Sequence, residues 1–171
     1  MTGSPVAGLH RELVGLAPQL RRYAYALTRN AADADDLVQA TLERVLSRSI
    51  PEAADVTRWS YTVCRNVWID EIRSRKVRRN AEPEVTAQAE APVSTEDAVA
   101  SRMALRRAQA GIDKLPDDQR EVLALVAIAG MAYREAAEML SVPIGTVMSR
   151  LARARAALAV HMEQANGEQA T

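Results

Sequence analysis

Residues 133–151 read YREAAEMLSVPIGTVMSRL, and this stretch decides the fold. A short amphipathic segment, a break at residues 141–143 and a longer segment form the arrangement that a helix-turn-helix unit requires. The first segment carries the small residues Ala136 and Ala137, which allow a second helix to cross close by, and Val147 is expected to meet them across the turn. The stretch therefore predicts a helix-turn-helix.

The second helix of this unit is predicted to have two unlike faces. Its apolar residues step by 3, 4, 3 and 4 and are expected to point inward: Ile144, Val147, Leu151, Ala154 and Leu158. Its polar residues lie on the other side: Thr146, Ser149, Arg150 and Arg153. Such a face can enter the major groove of DNA, where arginine pairs with guanine edges or holds phosphates. The alternative is a plain helical hairpin whose arginines are only solvated.

The rest of the C-terminal half also carries helical signals. Residues 94–97 offer an N-cap and acidic side chains for a helix that is expected to end near Lys114. Pro116 ends that helix and begins another, which runs to about Ile128 and is closed by Gly130. The last helix is expected to end near residue 160. Because no stretch of strict alternation competes with these patterns, the predicted fold class is all-α.

Three helices are predicted in the N-terminal half. The apolar stripe of the first, in which Pro18 predicts a kink or a helix start, consists of Leu13, Leu16, Leu20, Tyr23 and Leu27. The second is expected at residues 33–48, with aspartates near its positive end and an apolar face of Leu37, Val38, Leu42, Val45 and Leu46. The third is expected at residues 56–79, with an inward face of Val56, Trp59, Val63, Val67 and Ile72.

An acidic strip divides the chain. Residues 81–100 contain 5 acidic residues and no Lys or Arg, whereas residues 1–80 hold 13 basic residues against 9 acidic ones. Residues 80–97 read NAEPEVTAQAEAPVSTED, a composition that offers little to form a core. We therefore predict two small helical domains, at residues 1–80 and 97–162, joined by a flexible linker at 81–96 and followed by a frayed tail at 163–171.

The composition excludes several classes of protein. Cys64 is the only cysteine, so no internal disulfide forms, and two isolated histidines, His10 and His161, cannot build a zinc cluster. The sequence has no apolar run of about 18 residues, no signal-peptide pattern, no catalytic triad pattern and no glycine-rich phosphate loop. We therefore expect a soluble cytoplasmic protein that is not an enzyme, needs no cofactor and does not insert into a membrane.

A basic cluster ends the third predicted helix. Residues 66–79 read NVWIDEIRSRKVRR, in which the last seven positions hold Arg73, Arg75, Lys76, Arg78 and Arg79. Such a helix end can grip phosphates, and the aromatic residues Trp59, Tyr61 and Trp68 nearby can hold unstacked bases. The alternative is that the charges are only solvated and the tryptophans belong to the core. The inward spacing favours the core for Trp59, and Trp68 stays undecided.

Taken together, these motifs resemble the two-domain, extracytoplasmic-function class of bacterial sigma factors over nearly the whole chain. Residues 35–42, DDLVQATL, are similar to the helix with which that family docks on the clamp of RNA polymerase. Residues 59–66, WSYTVCRN, followed by Asp70, Glu71 and the basic cluster, are similar to its promoter-melting stretch. Residues 115–155 resemble its C-terminal helix-turn-helix.

The resemblance implies a protein that binds core RNA polymerase, directs it to promoter DNA and is held inactive by an anti-sigma partner. Polymerase contact is implied for Asp35, Asp36, Leu37 and Gln39. Contact with the minus-10 element, including capture of a flipped base, is implied for Tyr61, Asn66, Arg73, Arg75, Lys76, Arg78 and Arg79. Contact with the minus-35 element is implied for Thr146, Ser149, Arg150, Arg153 and Arg155. For Asn66, a cap or a bridge between helices is an equal alternative.

Three residues depart from the pattern of that family. Met148 stands where many relatives have Lys or Arg, Ser141 where a turn glycine is common, and Ala132 where a serine usually caps the next helix. A left-handed backbone at Ser141 would cost about 1 kcal/mol, and the missing cap roughly 1 kcal/mol more. Two other functions stay open: a helix-turn-helix regulator that dimerises and acts without polymerase, and a sigma-like module that titrates an anti-sigma protein.

Overall fold

The computed structural model describes residues 5–48, 50, 54–79 and 96–167, and every regular element in these ranges is a helix. The helices are α1 (Pro5–Thr28), α2 (Ala31–Ser47), α3 (Val56–Arg79), α4 (Glu96–Asp113), α5 (Asp117–Ala127), α6 (Tyr133–Leu140) and α7 (Ile144–Gly167). They divide into two compact units, Met1–Gln88 and Ala89–Thr171. The all-α prediction is confirmed. The predicted linker at 81–96 lies outside the described residues except for Glu96, which begins α4.

The N-terminal unit is built on the apolar stripe of α1. The five residues of that stripe are all buried: Leu13, Leu16, Leu20, Tyr23 and Leu27. Helix α1 packs against both α2 and α3, and the ring of Tyr23 meets that of Tyr61 edge to face, with centroids 5.2 Å apart. Helix α1 runs through Pro18, so the expectation that a helix starts there is wrong.

A side-chain cap fixes where α2 begins. The Asn30 side-chain oxygen accepts a hydrogen bond from the backbone N–H of Asp33 at 3.0 Å, so α2 starts at Ala31 rather than at the predicted residue 33. Its buried face contains Ala34, Leu37, Thr41 and Val45. Leu46 is 48% exposed, contrary to prediction, because it follows Val45 and is rotated by about 100° from it.

Helix α3 has the predicted bounds, Val56–Arg79. Val63 belongs to the core of this unit, and Val56, Trp59 and Val67 pack against that core. Ile72 is 43% exposed and was wrongly predicted to point inward. Five helical residues beyond Val67 turn a side chain through about 140°, which carries Ile72 off the apolar stripe.

The C-terminal unit has a largely aliphatic core. Its fully buried large side chains are Val122, Leu125, Val147 and Leu151. Helix α4 packs against α7, and a Cβ added at Gly111 of α4 would lie 2.9 Å from Cδ2 of Leu158. Gly111 thus allows the two helices to approach closely.

The end of α7 differs from prediction. The helix was expected to end near residue 160 and residues 163–171 to form a frayed tail, but α7 continues to Gly167. Residues 168–171 of the predicted tail lie outside the described residues. Residues 161 and 162 are half-buried, and packing of α4 against α7 near Gly111 includes His161, which explains why the helix extends.

Candidate functional site

Helices α6 and α7 form the predicted helix-turn-helix. Between them, Ser141 adopts a left-handed backbone with φ 54° and ψ 43°, as anticipated for a position that favours glycine. The N–H of Val142 donates to the carbonyl of Ala137 at 3.1 Å, and that of Thr146 donates to the carbonyl of Pro143 at 2.9 Å. These hydrogen bonds close α6 and begin α7.

Buried apolar contacts fix the inner side of this unit. From α6, Ala136, Ala137 and Leu140 are buried, and from α7, Val147 and Leu151 are buried. At the start of α6, Ala132 lacks a capping side chain, but the carboxylate of Glu135 accepts the Ala132 backbone N–H at 2.9 Å. One half of a capping box therefore compensates part of the missing cap.

The outer side of α7 carries the residues predicted to meet the minus-35 element. Ser149, Arg153 and Arg155 are exposed, and Thr146 is half-buried. The hydroxyl of Ser149 donates to the carbonyl of Thr146 at 3.1 Å, which is a bond within the helix. The face is thus accessible, and its largest exposed polar side chains are cationic.

Arg150 is held by an acidic residue at the start of α5. Its Nε lies 3.0 Å from the Asp118 carboxylate, and its side chain is only 27% exposed. This ion pair joins two helices that are far apart in sequence, so helical spacing could not reveal it. In the protein without DNA, Arg150 is less available than Arg153 to a phosphate or base.

Sequence patterns did not identify Arg120, the buried cation that supports this site. It is 3% exposed, and its guanidinium donates to the carbonyl of Leu115 at 2.9 Å and to the carboxylate of Asp117. These hydrogen bonds hold the N-terminus of α5 in place, and Asp118 lies in the first turn of the same helix. The spacing of Asp117 and Arg120 was the available signal, but an i, i+3 pair is common on solvated helix faces.

The second candidate surface is the C-terminal part of α3. Asn66 and Arg73 are exposed on it, while the side chains of Lys76, Arg78 and Arg79 lie outside the described residues. Arg75 donates to Glu71 at 2.6 Å and to Asp33 of α2 at 3.2 Å. The hydrogen bond with Asp33 raises the pKa of the Arg75 guanidinium. Arg75 joins α3 to α2, and two carboxylates balance its charge.

Tyr61 does not lie on that surface. It is fully buried against Tyr23, so its ring offers no face to a base, and its predicted contact with minus-10 DNA must be corrected. No hydrogen-bond partner of its hydroxyl is found among the described residues. Burial raises the pKa of Tyr61 to about 12.

The third candidate surface is the start of α2, predicted to contact polymerase. Asp36 and Gln39 are exposed there, and the Gln39 amide donates to Glu43 at 3.1 Å. Asp35 is paired with Arg21 of α1, whose hydrogen bond lowers the pKa of the Asp35 carboxyl. Leu37 is 1% exposed and belongs to the core, so its predicted direct contact with a partner must be corrected.

A shallow groove of about 370 Å³ lies between α2 and α3, beside this surface. Asp36 lines it on one side and Asp70 on the other, and Arg44 reaches within 3.6 Å of the Asp70 carboxylate. Among the described residues no group of three His, Cys, Asp or Glu side chains could hold a metal ion. No helix in the described ranges is long and apolar enough to cross a membrane.

Comparison with known families matches each unit separately. Residues 105–158 match the family described as Sigma-70, region 4, and residues 14–64 match the family described as the Sigma2 domain of PhyR. The first match contains the whole helix-turn-helix, and the second extends from α1 into α3.

Individual proteins match along most of the chain. The ECF RNA polymerase sigma factor EcfG of Rhodopseudomonas palustris is 35% identical over 152 residues, which cover 88% of this chain and 82% of that protein. The ECF RNA polymerase sigma factor SigW of Bacillus subtilis is 31% identical over 153 residues, which cover 82% of this chain and 81% of that protein.

Among solved structures, the sigma factor RpoE in complex with the anti-sigma factor NepR from Bartonella quintana is similar in fold. The two chains superpose with a TM-score of 0.71 at 28% identity, covering 90% of this chain and 96% of the other. CnrH, in complex with the cytosolic domain of CnrY, has a TM-score of 0.65 at 23% identity and shares the fold.

Proposed function

This chain belongs to the extracytoplasmic-function family of RNA polymerase sigma factors, and we propose that its two units divide promoter recognition between them. The C-terminal unit reads the upstream, minus-35 element as duplex DNA. The N-terminal unit binds core polymerase and holds the opened minus-10 element. The observation that carries the proposal is the outer face of α7, which is accessible, cationic and held from behind by buried Val147 and Leu151.

In the C-terminal unit, Arg153 is the principal contact with duplex DNA. It is exposed on α7, and arginine at this part of a recognition helix reads guanine edges or neutralises phosphates. Thr146, Ser149 and Arg155 add contacts around it. Arg150 contributes mainly by joining α7 to α5 through Asp118.

In the N-terminal unit, the exposed face of α3 holds the melting DNA. Asn66 and Arg73 are both exposed and are spaced by seven residues, close to two helical turns, so they lie on one side of the helix. The Asn66 amide pairs with the edge of an extruded base, and the cationic residues from Arg73 to Arg79 neutralise phosphates. Arg75 also keeps α3 fixed to α2.

Core polymerase is bound through the exposed start of α2. Asp35, Asp36 and Gln39 provide polar contacts, while Leu37 supports them from beneath as part of the core. The similar sigma factor RpoE was solved with the anti-sigma factor NepR. By analogy, a protein of that kind holds this chain inactive until transcription is required.

The family is non-enzymatic in general. We propose that this chain likewise catalyses no reaction itself, uses no cofactor and acts in the cytoplasm, where polymerase and promoter DNA are found. Its contribution to initiation is the free energy of binding, which stabilises DNA that has been opened at a cost of a few kcal/mol per extruded base.

The test is run-off transcription from fragmented genomic DNA with purified core polymerase, with and without the full chain. Transcripts that require the chain are expected.

Variants test the two surfaces separately. Arg153→Ala should reduce promoter binding, and Asn66→Ala should reduce promoter opening, which permanganate detects. Arg106→Ala removes an exposed arginine of α4 and is the matched control. Duplex binding without polymerase and without transcripts would favour the regulator, and neither activity would favour the module that titrates an anti-sigma protein.

A further inference from the structure

Two large apolar side chains are exposed at the start of α7. Ile144 is 46% exposed and Met148 is 52% exposed, although Ile144 was predicted to point inward. They are four residues apart and therefore neighbours on the helix surface, with Cβ atoms about 6 Å apart. Beside them, Gly145 adds no side chain, and a Cβ there would meet nothing within 4 Å.

The outer side of α7 has two different edges. Thr146, Arg150 and Arg153 are spaced by four and three residues and form a polar edge. Ile144, Met148 and Arg155 are spaced by four and seven residues and form the opposite edge, apolar at its start and cationic at its end. Both edges lie outside the buried stripe of Val147 and Leu151.

Two polar side chains in the first two turns of α7 are already bonded within the protein. The Ser149 hydroxyl donates to Thr146, and Arg150 is paired with Asp118. The first two turns of α7 therefore present two unpartnered apolar side chains as their largest exposed groups. Residues in this part of a recognition helix contact base edges in the major groove.

We infer that Ile144 and Met148 are specificity-determining residues that read thymine methyl groups in the upstream promoter element. The inference rests on the proposed function of α7. The C5-methyl of thymine is the apolar group on the base edges of the major groove. The charge of α7 favours DNA as the occupant, since Arg150, Arg153 and Arg155 follow in the same helix and Glu163 is its only acidic residue.

The spacing of the two side chains predicts the spacing of the thymines. Cβ atoms about 6 Å apart span one to two base steps of roughly 3.4 Å. The preferred element should thus contain two thymines that are adjacent or separated by one base. Arg155 at the far end of the same edge is placed to hold a phosphate beyond them.

The experiment uses holoenzyme reconstituted from core polymerase and the full chain. Duplexes with a long randomised segment are selected by binding, and the enriched sequence is resynthesised with deoxyuridine in place of each upstream thymine in turn. Deoxyuridine removes the methyl group and keeps the hydrogen-bonding edge. At one or two positions this change should weaken binding about three- to fivefold, as expected for one buried methyl group.

Variants then assign the effect to the apolar edge. A protein that carries both Met148→Gln and Ile144→Ala should bind the thymine and deoxyuridine duplexes with equal affinity. Val160→Ala, at a residue 53% exposed on the same helix, should keep the wild-type discrimination. The wild-type comparison needs no variant, so the absence of methyl reading would be recognised even if a substitution disturbs folding.

The outcomes separate the two proposals. If the wild-type holoenzyme enriches no sequence, the proposed function fails and this inference fails with it. If it enriches a sequence and deoxyuridine has no effect at any upstream position, only the methyl reading is overturned. If the variants weaken binding to both duplexes by the same factor and still discriminate, Ile144 and Met148 contact the sugar-phosphate backbone or a partner protein instead.

Discussion

The interior of α1–α3 contains the neutral polar residues Thr41 and Ser60, whereas that of α4–α7 is aliphatic around the buried cation Arg120. The hydroxyls of Thr41 and Ser60 donate to carbonyls of their own helices, at 2.6 Å and 2.7 Å. Arg120 instead bonds to residues that precede or begin α5. A buried hydroxyl needs only one nearby hydrogen-bond acceptor. A buried charge must keep all of its partners, so the stability of the unit depends on that set of contacts.

The surfaces of the two units differ in a related way. On α1–α3, cations and acids near the candidate DNA and polymerase surfaces are paired across helices, as Arg75 is with Asp33 and Arg21 with Asp35. On α7, Arg150 is paired, but the apolar edge is exposed. The first unit thus presents ion pairs that link its helices, whereas the second presents a helix with exposed apolar and cationic side chains.

The largest expected effect is the loss of the N-terminal unit on introducing a charge into its core. Leu37→Asp places a carboxylate at a position 1% exposed and should destabilise this unit by at least about 4 kcal/mol. Thermal unfolding by circular dichroism should show loss of α1–α3 while α4–α7 still unfolds cooperatively. The exposed pair Asp36→Ala and Gln39→Ala is the control that should keep full helicity and lose only polymerase pull-down. Full helicity of Leu37→Asp would contradict the core assignment.

A smaller loss is expected in the C-terminal unit when its buried cation is removed. Arg120→Ala deletes two charge-assisted hydrogen bonds and leaves the Leu115 carbonyl without this donor, which should cost about 3 kcal/mol. Urea unfolding measures the change, and Arg106→Ala should stay within about 0.5 kcal/mol of wild type. A loss of similar size in α1–α3 would show that the two units are not independent.

Alkaline pH should destabilise the N-terminal unit, which contains a buried cysteine and a buried tyrosine, by a smaller amount than these core substitutions. Burial raises the pKa of the Cys64 thiol to about 12, and it also raises the pKa of Tyr61 to about 12. Since both folded-state pKa values exceed those of the unfolded chain, the stabilisation is complete below about pH 9 and is lost as pH rises towards 12. We expect a loss on the order of 2 kcal/mol in α1–α3 by pH 11. Chemical unfolding at pH 8 and pH 11 measures this loss. In the double variant Cys64→Ala and Tyr61→Phe, the free energy of unfolding should change less between these two pH values. If it changes as much as in wild type, these two residues are not the cause.

The smallest effect distinguishes two arginines of α7. Arg153→Ala should weaken duplex binding by about 1 to 2 kcal/mol, and Arg150→Ala by less than half of that, because Arg150 is already paired with Asp118. Holoenzyme binding measured across salt concentrations gives both values. Equal losses would show that Arg150 leaves Asp118 to contact DNA, and a double-mutant cycle with Asp118→Asn would then measure that exchange.

Helices α1, α2, α3 and α7 were predictable because each carries an apolar stripe. The bounds of α3 and the burial of all five stripe residues of α1 followed from spacing alone. Prediction failed at the ends of stripes, at Leu46, Ile72 and Ile144, which the described residues leave exposed. Apolar identity favours burial but does not require it.

The candidate sites were less predictable because some residues of the motifs belong to the core and not to an exposed surface. Tyr61 and Leu37 lie in motifs similar to those that bind DNA and polymerase, yet both are buried. The pairs of Arg75 with Asp33 and Arg150 with Asp118 join different helices, and spacing within one helix cannot reveal them. The remaining site residues stay predictions until binding is measured.

In the part of the chain that the structure describes, two turns hold a residue other than glycine in the left-handed region. Arg29, between α1 and α2, has φ 57°, and Ser141, between α6 and α7, has φ 54°. Each conformation costs roughly 1 kcal/mol relative to glycine, which corresponds to about a fivefold change in the ratio of folded to unfolded molecules. At either of these residues, a single substitution that removes this cost would make the unit more tolerant of later mutations. A stabilising change at either turn would offset the cost of a destabilising substitution elsewhere in the same unit.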